Sequence, residues 1–328
     1  MTRIKLALAT VLSLATVLFL VLKTLAAPDY QKGLEAYNVG DYATALKEWR
    51  PLAEQGDMVA QKELGNMYRN GQGVPHNNIT AARWVRLSAE QGYAEAQKTL
   101  ARYYEYGSGV PRDYAEALRW YSLAAEQGDV RAQMTVAYMY YNGSDIPQDF
   151  TESLRWFSLV AEQGDDADYQ AEAMVHVACQ HGTGSGVPQD YAEALRWMRL
   201  AAEQDDDYLY DIGLRYERGM CLPQDYAEAL IWYRLAAEQG HAGAQLNLGA
   251  MYGSGQGTAR NFIVAHMWSN IAATNATALG LDDDIFGLRE DARQNISIYE
   301  DRMAQRAIST AQAMARDCMS SGYQNCGY

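Results

Sequence analysis

Positive charge, histidine and cysteine are all scarce in this chain. Its 27 lysines and arginines face 41 acidic residues, a net charge of −14, and loss of the first 27 residues with Arg3, Lys5 and Lys23 takes the balance to −17. So acidic a body repels phosphate, which excludes nucleic acid as a partner, and it favours solubility over adhesion to anionic lipid. His76, His241 and His266 are scattered, and neither His-Glu-x-x-His nor Gly-x-Ser-x-Gly occurs, so no nucleophile can be paired with a base. No catalytic residue and no cofactor is expected. The EF-hand spacing is also missing.

The four cysteines are Cys179, Cys221, Cys318 and Cys326. Cys318 and Cys326 close a short loop in a polar tail and form the disulfide candidate, provided the chain is exported. The disulfide state of Cys179 and Cys221 is left open by the sequence. Export itself is expected from residues 1–27, where Arg3 and Lys5 precede the uncharged run Leu6–Leu22 and Leu25-Ala26-Ala27 supplies small residues before Pro28. This has the form of a signal sequence; left uncleaved, the same run would be an anchor. A periplasmic or secreted location follows, with no membrane insertion once the leader is removed.

What the chain has in abundance is internal repetition. Ala-Glu-Gln-Gly or a close variant ends at Gly56, Gly92, Gly128, Gly164 and Gly240, with Asp205 once in place of the glycine. The polar residues that open the preceding segments are Asp41, Asn77, Asp113, Asp149, Asp190, Asp225 and Asn261, spaced by 36, 36, 36, 41, 35 and 36 residues. A period of this length signifies a stack of one supersecondary unit, one elongated body rather than two globules.

Each unit reads as two helices. In 113–128, Asp113 is an N-cap, Gly128 is the stop, and Ala117, Trp120, Tyr121 and Ala124 form an apolar stripe. The Trp position runs Glu48, Trp84, Trp120, Trp156, Trp197, Trp232 and Trp268. In the companion segment a small residue recurs at Gly65, Ala101, Ala137, Ala178, Gly213 and Gly249, which allows close helix approach. Three residues further on stand Tyr68, Tyr104, Tyr140, His181, Tyr216 and Tyr252.

The pattern Ala96, Leu100-Ala101, Tyr104, Gly107-Ser108-Gly109-Val110, Asp113, Ala117, Trp120-Tyr121, Ala124-Ala125, Gly128 resembles the Sel-1-like repeat, a relative of the tetratricopeptide repeat. The resemblance covers residues 57–276 as six repeats. Residues 28–56 resemble a tetratricopeptide hairpin that starts the stack, and 277–328 are expected to be a C-terminal helical cap and tail, with a short helix opening at Asp282–Asp284 and a longer one at the Ser297 capping box. The implied fold is all-α, a right-handed solenoid of stacked helix hairpins. The implied function is a non-catalytic adaptor of the cell envelope that binds a protein partner. The alternative is a cell-wall enzyme or ligand-binding module related to β-lactams or peptidoglycan, although family members associated with β-lactams carry paired cysteines within each repeat.

Tetratricopeptide geometry carried onto this sequence places Lys62, Asn66, Arg69, Lys98, Arg102, Tyr106, Met134, Tyr138 and Tyr141 on a partner-binding groove. Tyr and Arg are the residue types that dominate recognition hot spots. Three other constellations have plainer readings. The glycine runs 182–186 and 253–257 follow helices, whereas a phosphate loop follows a strand. His176, Cys179 and His181 are close enough for zinc but lack a fourth ligand, so no metal is expected. Asp165, Asp166 and Asp168, with Asp205–Asp207, suit either helix capping or a bridging calcium ion, and capping is preferred.

Overall fold

The computed structural model describes residues 28–143, 145–164, 166–278, 287–324 and 326. The expected leader at residues 1–27, Asp165 and the expected helix start at Asp282–Asp284 lie outside the described residues. Among the described residues the fold is all-α, with sixteen helices and no strand. In order they are α1 Tyr30–Asn38, α2 Tyr42–Glu54, α3 Met58–Asn70, α4 Asn78–Glu90, α5 Ala94–Tyr106, α6 Tyr114–Ala125, α7 Val130–Asn142 and α8 Phe150–Gln163. Then follow α9 Ala167–Thr183, α10 Tyr191–Gln204, α11 Asp207–Arg218, α12 Tyr226–Glu238, α13 Ala242–Ser254, α14 Phe262–Ala278, α15 Leu288–Glu300 and α16 Gln305–Ser320. The chain divides into two compact units, one up to Val136 and one from Ala137. In the first, each of α1 to α5 packs on the next helix; in the second, α8 to α14 do so, α15 and α16 both pack on α14, and α15 also touches α13.

The caps and the small residues explain why these hairpins form. Asp113 Oδ1 accepts the N–H groups of Ala115 and Glu116, both at 3.0 Å, satisfying donors that the first turn leaves orphaned. A Cβ at Gly65 would stand 2.6 Å from the Val85 side chain, and one at Gly213 2.5 Å from the Tyr233 ring, so these places admit nothing larger without a shift. The Tyr68, Tyr104 and Tyr252 hydroxyls accept from Arg50, Arg86 and Arg234 of the preceding second helices, which ties one hairpin to the next through a polar edge. Arg119, Arg155 and Arg196 lie 4.1, 4.2 and 4.5 Å from the ring centres of Trp120, Trp156 and Trp197, each guanidinium also paired with a glutamate three residues earlier.

The glycine-rich turns are packing devices. Gly109 has φ +74°, and a Cβ there would fall 2.0 Å from the Asn78 carbonyl oxygen at the start of α4. The turn therefore rests backbone to backbone on the preceding repeat. The equivalent place in the turn after α11 is Cys221, which keeps a left-handed φ of 65° without being glycine.

Cys221 is disulfide-bonded to Cys179 of α9, and Cys318 to Cys326. The state of Cys179 and Cys221, which the sequence left open, is thus a disulfide. The bond holds a cysteine where four other turns use Gly73, Gly109, Gly186 and Gly257, and the Cys221 carbonyl lies so close to Gly182 that a Cβ on Gly182 would sit 1.7 Å from it.

The glutamine of Ala-Glu-Gln-Gly also has a structural task. Buried Gln61, Gln97, Gln133 and Gln245 each donate to the carbonyl of the alanine eight residues before, at 3.0, 3.3, 3.1 and 3.1 Å. Gln91 and Gln127 then donate to the side-chain oxygens of Gln61 and Gln97 at 2.8 and 2.7 Å, and Asn275 does the same for Gln245 at 2.8 Å. The buried Gln61, Gln97 and Gln245 side chains thus have both donor and acceptor satisfied, where an unpaired polar group would be costly.

Candidate functional site

Sites are built here from the first helices of the repeats, whose inner sides are committed to packing and whose outer sides are not. In the first unit the expected groove residues fall into three groups. Lys62 pairs with Glu63 at 3.0 Å, and Asn66 donates to the same carboxylate at 3.1 Å, so both are internally occupied. Arg69 lies over the Tyr103 ring, 5.4 Å from its centre. Met134 is only 3% exposed and belongs to the core. Its assignment to the groove is corrected accordingly: its side chain sits on the apolar stripe that α7 turns inward.

Lys98 and Arg102 come together in a recess of about 250 Å³, lined also by Glu95, Thr99, Tyr121, Arg131, Ala132 and Thr135. Lys98 is held at 2.7 Å from Glu95 and 2.6 Å from Asp129. Burial works against its ammonium, but the hydrogen bonds to Asp129 and Glu95 outweigh it and hold the pKa above the ordinary lysine value. Arg102 and Arg131 are exposed and, among the described residues, form no ion pair. Tyr121 forms the floor; its hydroxyl donates to Glu105 at 2.9 Å, and burial followed by that carboxylate raises its pKa. Tyr106, one turn beyond Arg102, is 68% exposed.

In the second unit, Tyr138 and Tyr141 meet around His176. The Tyr138 hydroxyl is 2.5 Å from Glu172 and 2.7 Å from His176 Nε2. Because the hydroxyl proton is given to the carboxylate, Nε2 must carry the other proton and donate to the tyrosine oxygen. The His176 ring stacks on Phe157 at 4.5 Å, and Tyr141 sits edge-on to it at 5.7 Å. Burial, with Arg215 adding to it, lowers the His176 pKa against the pull of Glu172, so the imidazole is kept neutral. This is a closed packing cluster. Cys179, bonded to Cys221, is no thiolate ligand, and His181 lies in the last turn of α9.

A recess of about 430 Å³ in the second unit is lined by Ala167, Asp168, Ala171, Glu172, Gln204, Asp205 and Tyr208. Asp166 and Asp205 accept backbone N–H groups of Asp168 and Asp207, at 3.2 and 2.9 Å, as helix-opening carboxylates. Among the described residues no three His, Cys, Asp or Glu side chains gather as for a metal ion.

The sequence reading missed Arg131 and Tyr121 as recess residues. The available signal was at one repeat position, which holds Val59 and Glu95 and then reverses sign at Arg131. It missed the Tyr138–Glu172–His176 contact as well, although Glu172 and His176 are four residues apart on one helix face.

The Sel1 repeat model matches residues 59–93, 94–129, 130–165, 171–206, 207–241 and 242–276. The chain belongs to the Sel1 repeat family. Sel1 repeats generally mediate protein–protein interaction, and the family is generally a non-catalytic scaffold. Among solved structures the chain is similar to c5321, a protective antigen of uropathogenic Escherichia coli displaying an SLR fold, with 26% identity, 90% of this chain and 69% of that one covered, and a TM-score of 0.46. It is also similar to a Sel1 repeat protein from Oxalobacter formigenes, with 28% identity, 75% and 99% covered, and a TM-score of 0.48. No curated protein matches the chain significantly. Among the described residues no helix is long and apolar enough to cross a membrane.

Proposed function

We propose that this Sel1 repeat chain is a non-catalytic scaffold of the bacterial cell envelope, exported by its leader, that holds an envelope protein on the first helices of its repeats. The observation that carries this reading is the recess on α5 and α7. An acidic chain has every reason to pair its few cations, yet Arg102 and Arg131 stand exposed beside it with no carboxylate of their own. Arg102 is followed one turn later by the exposed ring of Tyr106, and Arg with Tyr is the pairing that recognition surfaces favour.

The test is crosslinked pull-down from the native envelope, with wild-type bait beside a variant combining Arg102→Ala, Arg131→Ala and Tyr106→Ala. The variant should lose one crosslinked protein while its thermal unfolding stays within about 0.5 kcal/mol of wild type, as surface changes usually do. An unchanged set of crosslinks would overturn the proposal. Turnover of nitrocefin by the same preparation would overturn its non-catalytic part, and a mature N-terminus that retains residues 1–27 would turn the exported scaffold into a tethered one.

A further inference from the structure

We infer that the recess between α5 and α7 receives the side-chain carboxylate of an isolated Asp or Glu in an extended peptide segment of the partner. This rests on the scaffold reading above and names the chemistry of what that scaffold holds. The lining carries three cations, Lys98, Arg102 and Arg131, against the single carboxylate of Glu95. Lys98 is already neutralised by Glu95 and Asp129, so the free donors are the two guanidinia, each able to offer a carboxylate two parallel N–H groups.

The hydroxyls in the recess decide between a peptide and a simple oxyanion. Thr99 Oγ1 donates to the Glu95 carbonyl and Thr135 Oγ1 to the Arg131 carbonyl, both at 2.8 Å. With their protons spent, these oxygens can only accept, as can the Glu95 carboxylate. A sulfate, all acceptor, or a phosphate, with only one or two O–H groups to give, would face three acceptors among its lining groups. A peptide brings its carboxylate to the arginines and its backbone N–H groups to the threonines. Acceptors stand on both helices, Thr99 on α5 and Thr135 on α7, so chain on either side of the acidic residue finds a partner, which a terminal carboxylate would use on one side only. The net charge of −14 opposes a run of acids, so one acid flanked by uncharged residues fits best, with an apolar neighbour against the Tyr106 ring.

The test uses the full exported chain and a labelled peptide, Ser-Leu-Ala-Glu-Ala-Leu-Ser, acetylated and amidated at its ends, followed by fluorescence anisotropy in 0.1 M salt. Saturable binding is expected, weakened about tenfold or more when Glu becomes Gln in the peptide or when the protein carries Arg102→Ala with Arg131→Ala, as loss of charge-assisted hydrogen bonds demands. The Arg102→Lys, Arg131→Lys protein should retain part of the affinity, which separates charge from misfolding. No saturable binding, equal binding of the Gln peptide, or preference for a Gln peptide with a free C-terminus would each overturn the inference, as would inorganic phosphate competing at equal concentration. The native pull-down distinguishes the two levels. Loss of the partner with equal Glu and Gln peptide binding sinks only the carboxylate; retention of the partner by the arginine variants sinks the scaffold surface itself.

Discussion

The two units solve the same packing problem with different means. Up to Val136 the capping residues keep their 36-residue spacing, the turns use glycine, and the buried amides of Gln61 and Gln97 each receive a second glutamine from the end of the same repeat. From Ala137 the interval from Asp149 to Asp190 stretches to 41 residues, and helix ends that close in a left-handed glycine elsewhere, such as Gly128 at φ +89°, become extended at Gly164 and Asp205, with φ −65° and −152°. At those two ends no second glutamine joins a buried one among the described residues; instead the unit has a disulfide, an aromatic cluster around His176 and a cysteine in a glycine's conformation. Regular repeats spend few residue types on their junctions and leave outer positions open for arginine and tyrosine. Irregular ones consume such positions: Tyr138 is bound to Glu172 and His176, whereas Arg102 is bound to nothing comparable.

The contrast can be broken most forcefully at the covalent bond. Replacing Cys179 and Cys221 by serine should cost the second unit about 3–4 kcal/mol, the value for a closed loop of this size, and leave the first unit untouched. Hydrogen exchange resolved along the sequence would read this, and equal loss of protection in both units would refute it. A smaller effect should distinguish two glutamines that reach the same carbonyl of the repeat, Ala89 and Ala161, from different positions. Gln97→Ala removes a donor to the Ala89 carbonyl and an acceptor for Gln127, with an expected loss of about 2 kcal/mol for orphaned buried groups. Gln170, only half-buried and bonded to the Ala161 carbonyl alone, should cost about half as much when changed to alanine. Denaturant unfolding of the two variants makes the comparison, and identical losses would remove the glutamine relay as a distinguishing device.

The smallest effect is one of pH. His176 and His241 both lie below the ordinary histidine value of 6.5, chiefly through burial. The folded form therefore releases protons that the unfolded chain still binds, so their contribution is full above pH 6.5 and is lost as pH falls toward the folded values. Both lie in the second unit, and the one histidine described in the first, His76, is exposed. Hydrogen exchange at pH 7.5 and 5.5 should show selective weakening of the second unit, reduced by His176→Asn; a uniform response would count against it.

Much of the fold was legible because period and cap chemistry are local. Asp113, Gly128 and the Trp120–Tyr121 stripe each specify their own turn of helix, and comparison with residues 36 away repeats the message. The Sel-1-like resemblance rested on the same places. Illegible were contacts between positions that are not equivalent. Cys179 follows the small residue of α9 while Cys221 stands in a turn, so no alignment of repeats puts them together. The glutamine relay was missed for another reason: it recurs at 61/91, 97/127 and 245/275, but its partners lie 30 residues apart, out of step with the period. The recess depended on which arginines find acids, and sequence spacing does not record that.

One position in the first helices governs what docks beside them. It is Glu105 in one repeat, where it takes the Tyr121 hydroxyl, Glu217 in another, where it takes Tyr233, and Gly253 in the last, where a Cβ would fall 2.5 Å from the ring of Tyr299 of α15. The Tyr299 hydroxyl then donates to the Gly249 carbonyl at 3.1 Å. Gly253 thus works as punctuation: where a glutamate here holds the second helix of its own hairpin, the bare backbone instead leaves room for a ring from the tail.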